Sequence, residues 1–206
     1  MEVRDLGLAE YAEVWALQKE LVSKRQRGEI EDTLLLCEHP PVYTRGRSSR
    51  APVPPSLPHP IHTVERGGDI TWHGPGQLIG YPILDLHALD LTAGSYLRAL
   101  EQALVEGVRP LGLEAATIRG FTGLWAAGRK IASIGVAVSG GVSYHGFSLN
   151  VSCDLAGFGA IHPCNLQPEQ LATLRGLTGK PVTVDEARPH VLAALRRRLR
   201  PAVSLA

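Results

Sequence analysis

Between positions 8 and 27, Tyr11, Val14, Leu17, Leu21 and Val22 recur at helical spacing, while Glu10, Glu13, Lys19, Lys24 and Arg25 fall elsewhere. That pattern predicts an amphipathic helix. Residues 33–37 form an unbroken apolar run closed by His39-Pro40-Pro41, as in a buried strand that stops at a proline turn, and Cys37 belongs to the core on this reading. Five prolines between 51 and 60 exclude a helix or central strand and leave a surface excursion, a candidate lid. Ile61, Thr63, Val64, Ile70, Thr71, Trp72 and the stretch 78–86 predict two or three strands joined by glycine-rich turns. Residues 93–108 carry Leu97, Leu100, Leu104 and Val108 on one helical face, with Ser95 as the expected cap and Pro110 as the stop. Strands are expected at 122–127, 130–139 and 142–151, the last two joined by Gly140-Gly141, a hairpin signal. A short helix is expected at 169–174 and a terminal one at 184–199, whose Arg196, Arg197, Arg198 and Arg200 suit a helix C-terminus. With no internal repeat and no linker, the chain reads as one α+β domain over 1–206 with an at least partly antiparallel sheet.

Composition narrows the function classes. Hydrophobic residues at 44%, charged residues at 20% and a net charge of +1 exclude general disorder and give no global pull toward nucleic acid. The 22 glycines and 15 prolines fall short of the roughly quarter of the chain that marks low complexity. No apolar run reaches the roughly 20 residues of a membrane span, and the first ten residues lack the pattern of a signal peptide, so a cytoplasmic protein without membrane contact is expected. Cys37, Cys153 and Cys164 suit neither a disulfide framework nor a C-x-x-C zinc pair, and the eight histidines include no H-x-x-x-H pair, so no metal site is expected.

The richest stretch is Arg66-Gly67-Gly68-Asp69-Ile70-Thr71-Trp72-His73-Gly74-Pro75-Gly76-Gln77. Gly74, Gly76 and Gly80 imitate a dinucleotide fingerprint, but the last spacing is too long, Pro75 interrupts it and a strand-like segment follows. A phosphate loop is absent as well, so nothing argues for ATP. What remains is small residues around one His and one Arg, able to let a ligand approach the backbone closely. Cys164 lies in a proline-turned loop. To act as a nucleophile it needs a cation or base, because a thiol near pKa 8.5 is only a few per cent ionised at neutral pH. His162 and Lys130 are the candidates, the lysine being unusual at the start of an apolar strand. Arg45, Arg47 and Arg50, with Lys24, Arg25 and Arg27 upstream, form two basic clusters suited to an acidic protein partner.

Together these residues resemble the lipoyl(octanoyl) transferase family over most of the chain. Glu38-His39-Pro40-Pro41-Val42-Tyr43-Thr44 resembles its early E-H-P-P-V-[YF]-T segment, and 66–77 with Tyr81-Pro82 follow its signature. Arg129-Lys130-Ile131-Ala132-Ser133-Ile134-Gly135 resembles its lysine strand, His145-Gly146-Phe147-Ser148-Leu149-Asn150 its H-G-[FIL]-[AS]-x-N strand, and Pro163-Cys164 its cysteine loop. Two departures stand out: Asn165 where the family commonly has Gly, and Cys37 where it has an aliphatic residue.

The resemblance implies a mixed, largely antiparallel sheet flanked by helices, like the catalytic domain of biotin and lipoate protein ligases. It implies an ATP-independent acyltransferase without a cofactor, moving an octanoyl group from octanoyl-acyl carrier protein to the lysine of lipoyl domains of 2-oxoacid dehydrogenases and of the glycine cleavage H protein. Cys164 would carry the acyl group as a thioester beside Lys130. Arg66, Gly67, Gly68, Asp69, Ile70, Thr71, Trp72, His73, Ser133, Ile134, Gly135, Gly146, Phe147 and Ser148 would line the acyl channel. The alternatives are an ATP-dependent lipoate ligase on the same fold, a non-catalytic module that binds lipoyl domains or acyl carriers, and a cysteine hydrolase, for which no Cys-His-Asn arrangement is readable.

Overall fold

The run at 33–37 becomes strand β2 (Thr33–Glu38), and its alternation separates two cores. Leu34 and Leu36 point into one cluster, Leu35 and Cys37 into another. Cys37 is fully buried, as its place in the run requires. The computed structural model describes residues 1–47, 49, 52–161 and 168–200.

In chain order the elements are β1 (Glu2–Leu8), α1 (Tyr11–Gln26), β2, β3 (Val42–Gly46), β4 (Ile61–Val64), β5 (Ile70–His73), β6 (Gln77–Ile83), α2 (Ala93–Val108), β7 (Ala116–Ile118), β8 (Phe121–Ala126), β9 (Arg129–Ser139), β10 (Val142–Asn150), α3 (Leu174–Thr178) and α4 (Val184–Arg198). A seven-stranded sheet runs β1-β2-β6-β10-β9-β8-β7, and a three-stranded sheet runs β4-β3-β5. In the large sheet only β1 and β2, the pair connected through α1, lie parallel; its other pairs are antiparallel. The expected mixed, largely antiparallel sheet with flanking helices is therefore what the chain forms.

Helices α2 and α4 cover one face, where Leu100, Leu104, Val191 and Leu195 join Leu34, Leu36, Leu78 and Leu149. On the opposite face Val14, Leu21 and Val22 of α1 meet Leu35, Ile79, Ile83 and Tyr144. The small sheet adds a third cluster, in which Tyr43, Ile70 and Trp72 pack with Trp125, Phe158, Ile161 and Leu171.

Two expectations are corrected. The N-cap of α2 is Thr92, whose hydroxyl accepts from the Ser95 N–H while Ser95 Oγ accepts from the Thr92 N–H; Ser95 is the inner half of a capping box. The helix expected at 169–174 starts later. Residues 168–170 make a single 3-10 turn, Leu171 bridges to Lys130, and only Thr173, accepting from the Gly176 N–H, opens α3. Strands β1, β3 and β7 had no distinct sequence signal: β1 is polar and half exposed, and β7 is a three-residue edge.

Candidate active site

The site grows from two cross-strand pairs. Ser133 faces Ser148 and Gly135 faces Gly146 across β9 and β10, so four small residues lie where neighbouring rows carry large ones. Ile79, paired with Ser148, and Tyr81 border them from β6. The segment 66–71 passes above, and the space enclosed is a cavity of about 370 Å³. Arg66, Gly67, Gly68, Asp69, Ile70, Thr71, His73, Ser133, Ile134, Gly135, Gly146, Phe147 and Ser148 all line it, as does Lys130. Trp72 does not. Strand β5 alternates, sending Thr71 and His73 toward the cavity, while the Trp72 ring packs edge-on against Phe158 with centroids 5.4 Å apart. Cys164, His162 and Asn165 lie outside the described residues, as do Arg50 and Ala51 at the start of the proline segment.

Lys130 is 7% exposed, an uncommon burial for lysine. Its ammonium sits 5.7 Å from the Trp125 ring centroid, and its carbonyl accepts from the Ala172 N–H at 3.0 Å. Gly123 leaves room for its stem: a Cβ there would come within 2.8 Å of Lys130 Cε, at a φ of +126° that side-chain-bearing residues avoid.

A buried hydrogen-bond chain runs along the cavity wall. His73 Nδ1 lies 3.2 Å from Gln77 Oε1, Gln77 Nε2 donates to Asn150 Oδ1 at 2.9 Å, and Asn150 Nδ2 donates to the Ala172 carbonyl at 3.2 Å. Arg66 donates to Thr44 Oγ1 at 2.9 Å, leaving the Thr44 hydroxyl proton for His73 Nε2 at 3.3 Å. Burial, with His39 and the Arg66 guanidinium close by, pushes His73 down to about 3, so the imidazole is neutral. His39 is neutral too, held down by burial: its Nδ1 lies 2.6 Å from the Ala9 carbonyl and its Nε2 2.8 Å from Tyr81 Oη. His145 is pushed down to about 4, chiefly by burial, despite Glu65 at 3.4 Å. It has a positive φ of 54° in mid-strand, and its N–H turns away to Gln18 Oε1 at 2.8 Å. Thr71 Oγ1 is buried against the cavity with no hydrogen-bond partner among the described residues, a hydroxyl available to a ligand.

Tyr11, Gln77, Tyr81 and Asn150 belong to this site, although sequence reasoning gave them no role. Polar side chains inside otherwise buried strands were the available signal. The upstream basic cluster is largely engaged within the chain: Arg25 pairs with Asp32 at 2.8 Å, Lys24 with Glu20 at 2.6 Å and Arg27 with Glu29 at 2.5 Å. Arg47 reaches Glu65 at 3.6 Å, on the outer side of the His145 contact. No helix among the described residues is long and apolar enough to cross a membrane.

A sequence profile of the lipoyl protein ligase A/B catalytic domain matches residues 10–196. An octanoyltransferase of Geobacter sulfurreducens is 49% identical over 196 residues, 94% of this chain and 82% of its own length. One of Mycobacterium tuberculosis is 46% identical, covering 95% of this chain and 85% of its own. In structure, the bipartite lipoate protein ligase of Thermoplasma acidophilum, studied with its E2 lipoyl domain, superposes with a TM-score of 0.71 at 18% identity, over 98% of this chain and 87% of its own.

Proposed function

The chain belongs to the octanoyltransferase family, built on the lipoyl protein ligase A/B catalytic domain, and from that premise we propose that it carries an octanoyl group from octanoyl-acyl carrier protein to the lysine of a lipoyl domain. The acceptors are lipoyl domains of 2-oxoacid dehydrogenases and the glycine cleavage H protein. The whole chain, residues 1–206, acts as one catalytic domain in the cytoplasm, without ATP or another cofactor. The observation that carries this reading is the cavity over Ser133–Ser148 with the buried Lys130 at its border, in a chain half identical to named octanoyltransferases.

Cys164 is the nucleophile. Burial pushes the Cys37 thiol up and the Cys153 thiol to about 12, which makes both poor sources of thiolate. Ile161 and Leu171, which precede and follow Cys164 in the chain, pack in the same cluster as Trp125, and a residue three positions after Ile161 lies at most about 11 Å from it. Those two flanking residues stand beside the strand pair that bears Lys130.

In the first step the Cys164 thiolate, stabilised by the Lys130 ammonium, attacks the octanoyl carbonyl. A new S–C bond forms, the S–C bond to the carrier's phosphopantetheine breaks, and the departing thiolate takes the lysine proton. In the second step the acceptor amine attacks the Cys164 thioester, an N–C bond replaces the S–C bond, and Lys130, now neutral, receives the amine proton. The cysteine leaves as thiolate and the pair is restored. Thioester to amide exchange runs downhill, so no nucleotide is needed.

Intact-mass spectrometry after incubation with octanoyl-acyl carrier protein, without ATP, tests the reading on wild type and Cys164→Ala. An octanoyl increment on wild type that is lost in the variant, and that moves to an added lipoyl domain, is expected. Transfer that requires free octanoate plus ATP would instead make the chain a ligase, and no adduct or transfer under either condition would make it a binding module.

A further inference from the structure

We propose that the backbone of Arg66 and Gly67, seated on Gly135, is the stop that sets the length of the acyl chain, a reading that rests on the proposed acyl transfer. The trough over the small cross-strand pairs does not run on unobstructed. Both small pairs, Ser133 with Ser148 and Gly135 with Gly146, border the cavity. One row beyond Ser133 along β9, Gly135 lies so close beneath the crossing segment that a Cβ there would come 2.8 Å from the Gly67 carbonyl oxygen and 3.1 Å from Arg66 Cδ. That place on the floor is already filled by protein.

The obstruction is held from several sides. The Gly67 N–H donates to the Val136 carbonyl at 2.9 Å, so the segment is fastened to the strand it crosses. Arg66 Nη2 donates to the Thr44 carbonyl at 2.7 Å and to Thr44 Oγ1 at 2.9 Å, which ties the same segment to the small sheet. A stop made of bonded backbone yields less than one made of a side chain with free rotamers.

Its position suits eight carbons. A strand rises about 3.4 Å per residue, which places Gly135 roughly 14 Å along β9 from Ile131, beside the lysine. The thickness of the crossing backbone takes a few ångströms of that, leaving roughly 10 Å. Seven C–C bonds of about 1.5 Å, extended in a zigzag, span roughly 9 Å. An octanoyl chain whose carbonyl lies level with Ile131 ends against Gly67, and two further methylenes meet the stop.

The experiment has a binding arm and a transfer arm. Calorimetry of wild-type protein with hexanoate, octanoate, decanoate and dodecanoate is expected to show affinity rising about tenfold from six to eight carbons and no further gain, or a loss, beyond eight. In transfer from hexanoyl-, octanoyl-, decanoyl- and dodecanoyl-acyl carrier protein, kcat/KM should peak at eight carbons. Ser133→Val, which fills the trough short of the stop, should raise the hexanoyl to octanoyl ratio of kcat/KM at least tenfold. Affinity that keeps climbing through twelve carbons, dodecanoyl transfer as fast as octanoyl, or an unchanged ratio in a folded Ser133→Val would overturn the proposal. A break at eight carbons in binding with no transfer from any carrier would defeat the acyl-transfer reading and leave the stop standing.

Discussion

The two faces of the seven-stranded sheet are made by the same strands yet solve different problems. Under α2 and α4, Leu34, Leu36, Leu78, Leu100, Leu104 and Leu149 interlock in an aliphatic core. On the other face β9 and β10 present Ser133, Gly135, Gly146 and Ser148, and the buried groups around them include His39, His73, Gln77, His145 and Asn150. Apolar packing is given up there, and the polar groups are held by one another: His73 by Gln77 and Thr44, His39 by Tyr81 and Ala9. Space for a ligand survives because hydrogen bonds, rather than volume filling, fix the walls. One face is apolar core throughout, while the other combines the apolar cluster under α1 with an open cavity.

The sharpest way to separate the faces is Lys130→Ala. It should slow octanoyl transfer about 10²- to 10⁴-fold in single-turnover assays while the urea midpoint changes little. A variant that unfolds, or one with the wild-type rate, would break the division. Leu104→Ala on the opposite face should do the reverse, costing about 2–5 kcal/mol in urea unfolding while the ratio of rates on hexanoyl and octanoyl donors stays that of wild type.

Acid should attack the polar face first. His73, held at about 3, His145, held at about 4, and His39, also lowered, are each kept below the unfolded value near 6.5. Above pH 6.5 both states are neutral and the stability is fully present. As pH falls from about 6.5 toward 4, the unfolded chain binds protons that the folded chain refuses, and stability is lost at about 1.4 kcal/mol per pH unit for His73 and likewise for His145. Denaturant titrations at pH 7.5, 6 and 5 measure this, and His73→Gln should flatten the decline. The smallest effect concerns a local element. Thr92→Ala removes the cap of α2 and should cost about 1 kcal/mol in the same titration without moving the acid dependence.

What was legible in the chain follows where the signal was local. The stop of β2 at the prolines, the span 93–108 of α2 and the Gly140-Gly141 hairpin each rest on periodicity or turn chemistry a few residues long, and each formed as expected. β1 was silent because a half-exposed polar edge strand has no hydrophobic alternation; its pairing with β2 comes from tertiary contact. The start of α3 was misread because Leu171 and Ala172, helical in propensity, are drawn into an extended bridge with Lys130. At the site, the glycine-rich segment and the lysine strand stood out as motifs, while Trp72 was swept in with its neighbours although strand alternation turns it away.

By itself the sequence determined the residue types the chemistry requires, the strands and helices that carry them, and the family they resemble, because propensity, turn chemistry and motif spacing are properties of neighbouring residues. Only the tertiary structure decided that Ser133 lies opposite Ser148, that Gly67 rests on Gly135, and that Asn150 links Gln77 to the segment bonded to Lys130. Those relations join positions far apart in the chain, and strand register and loop crossing are settled when two faces pack together.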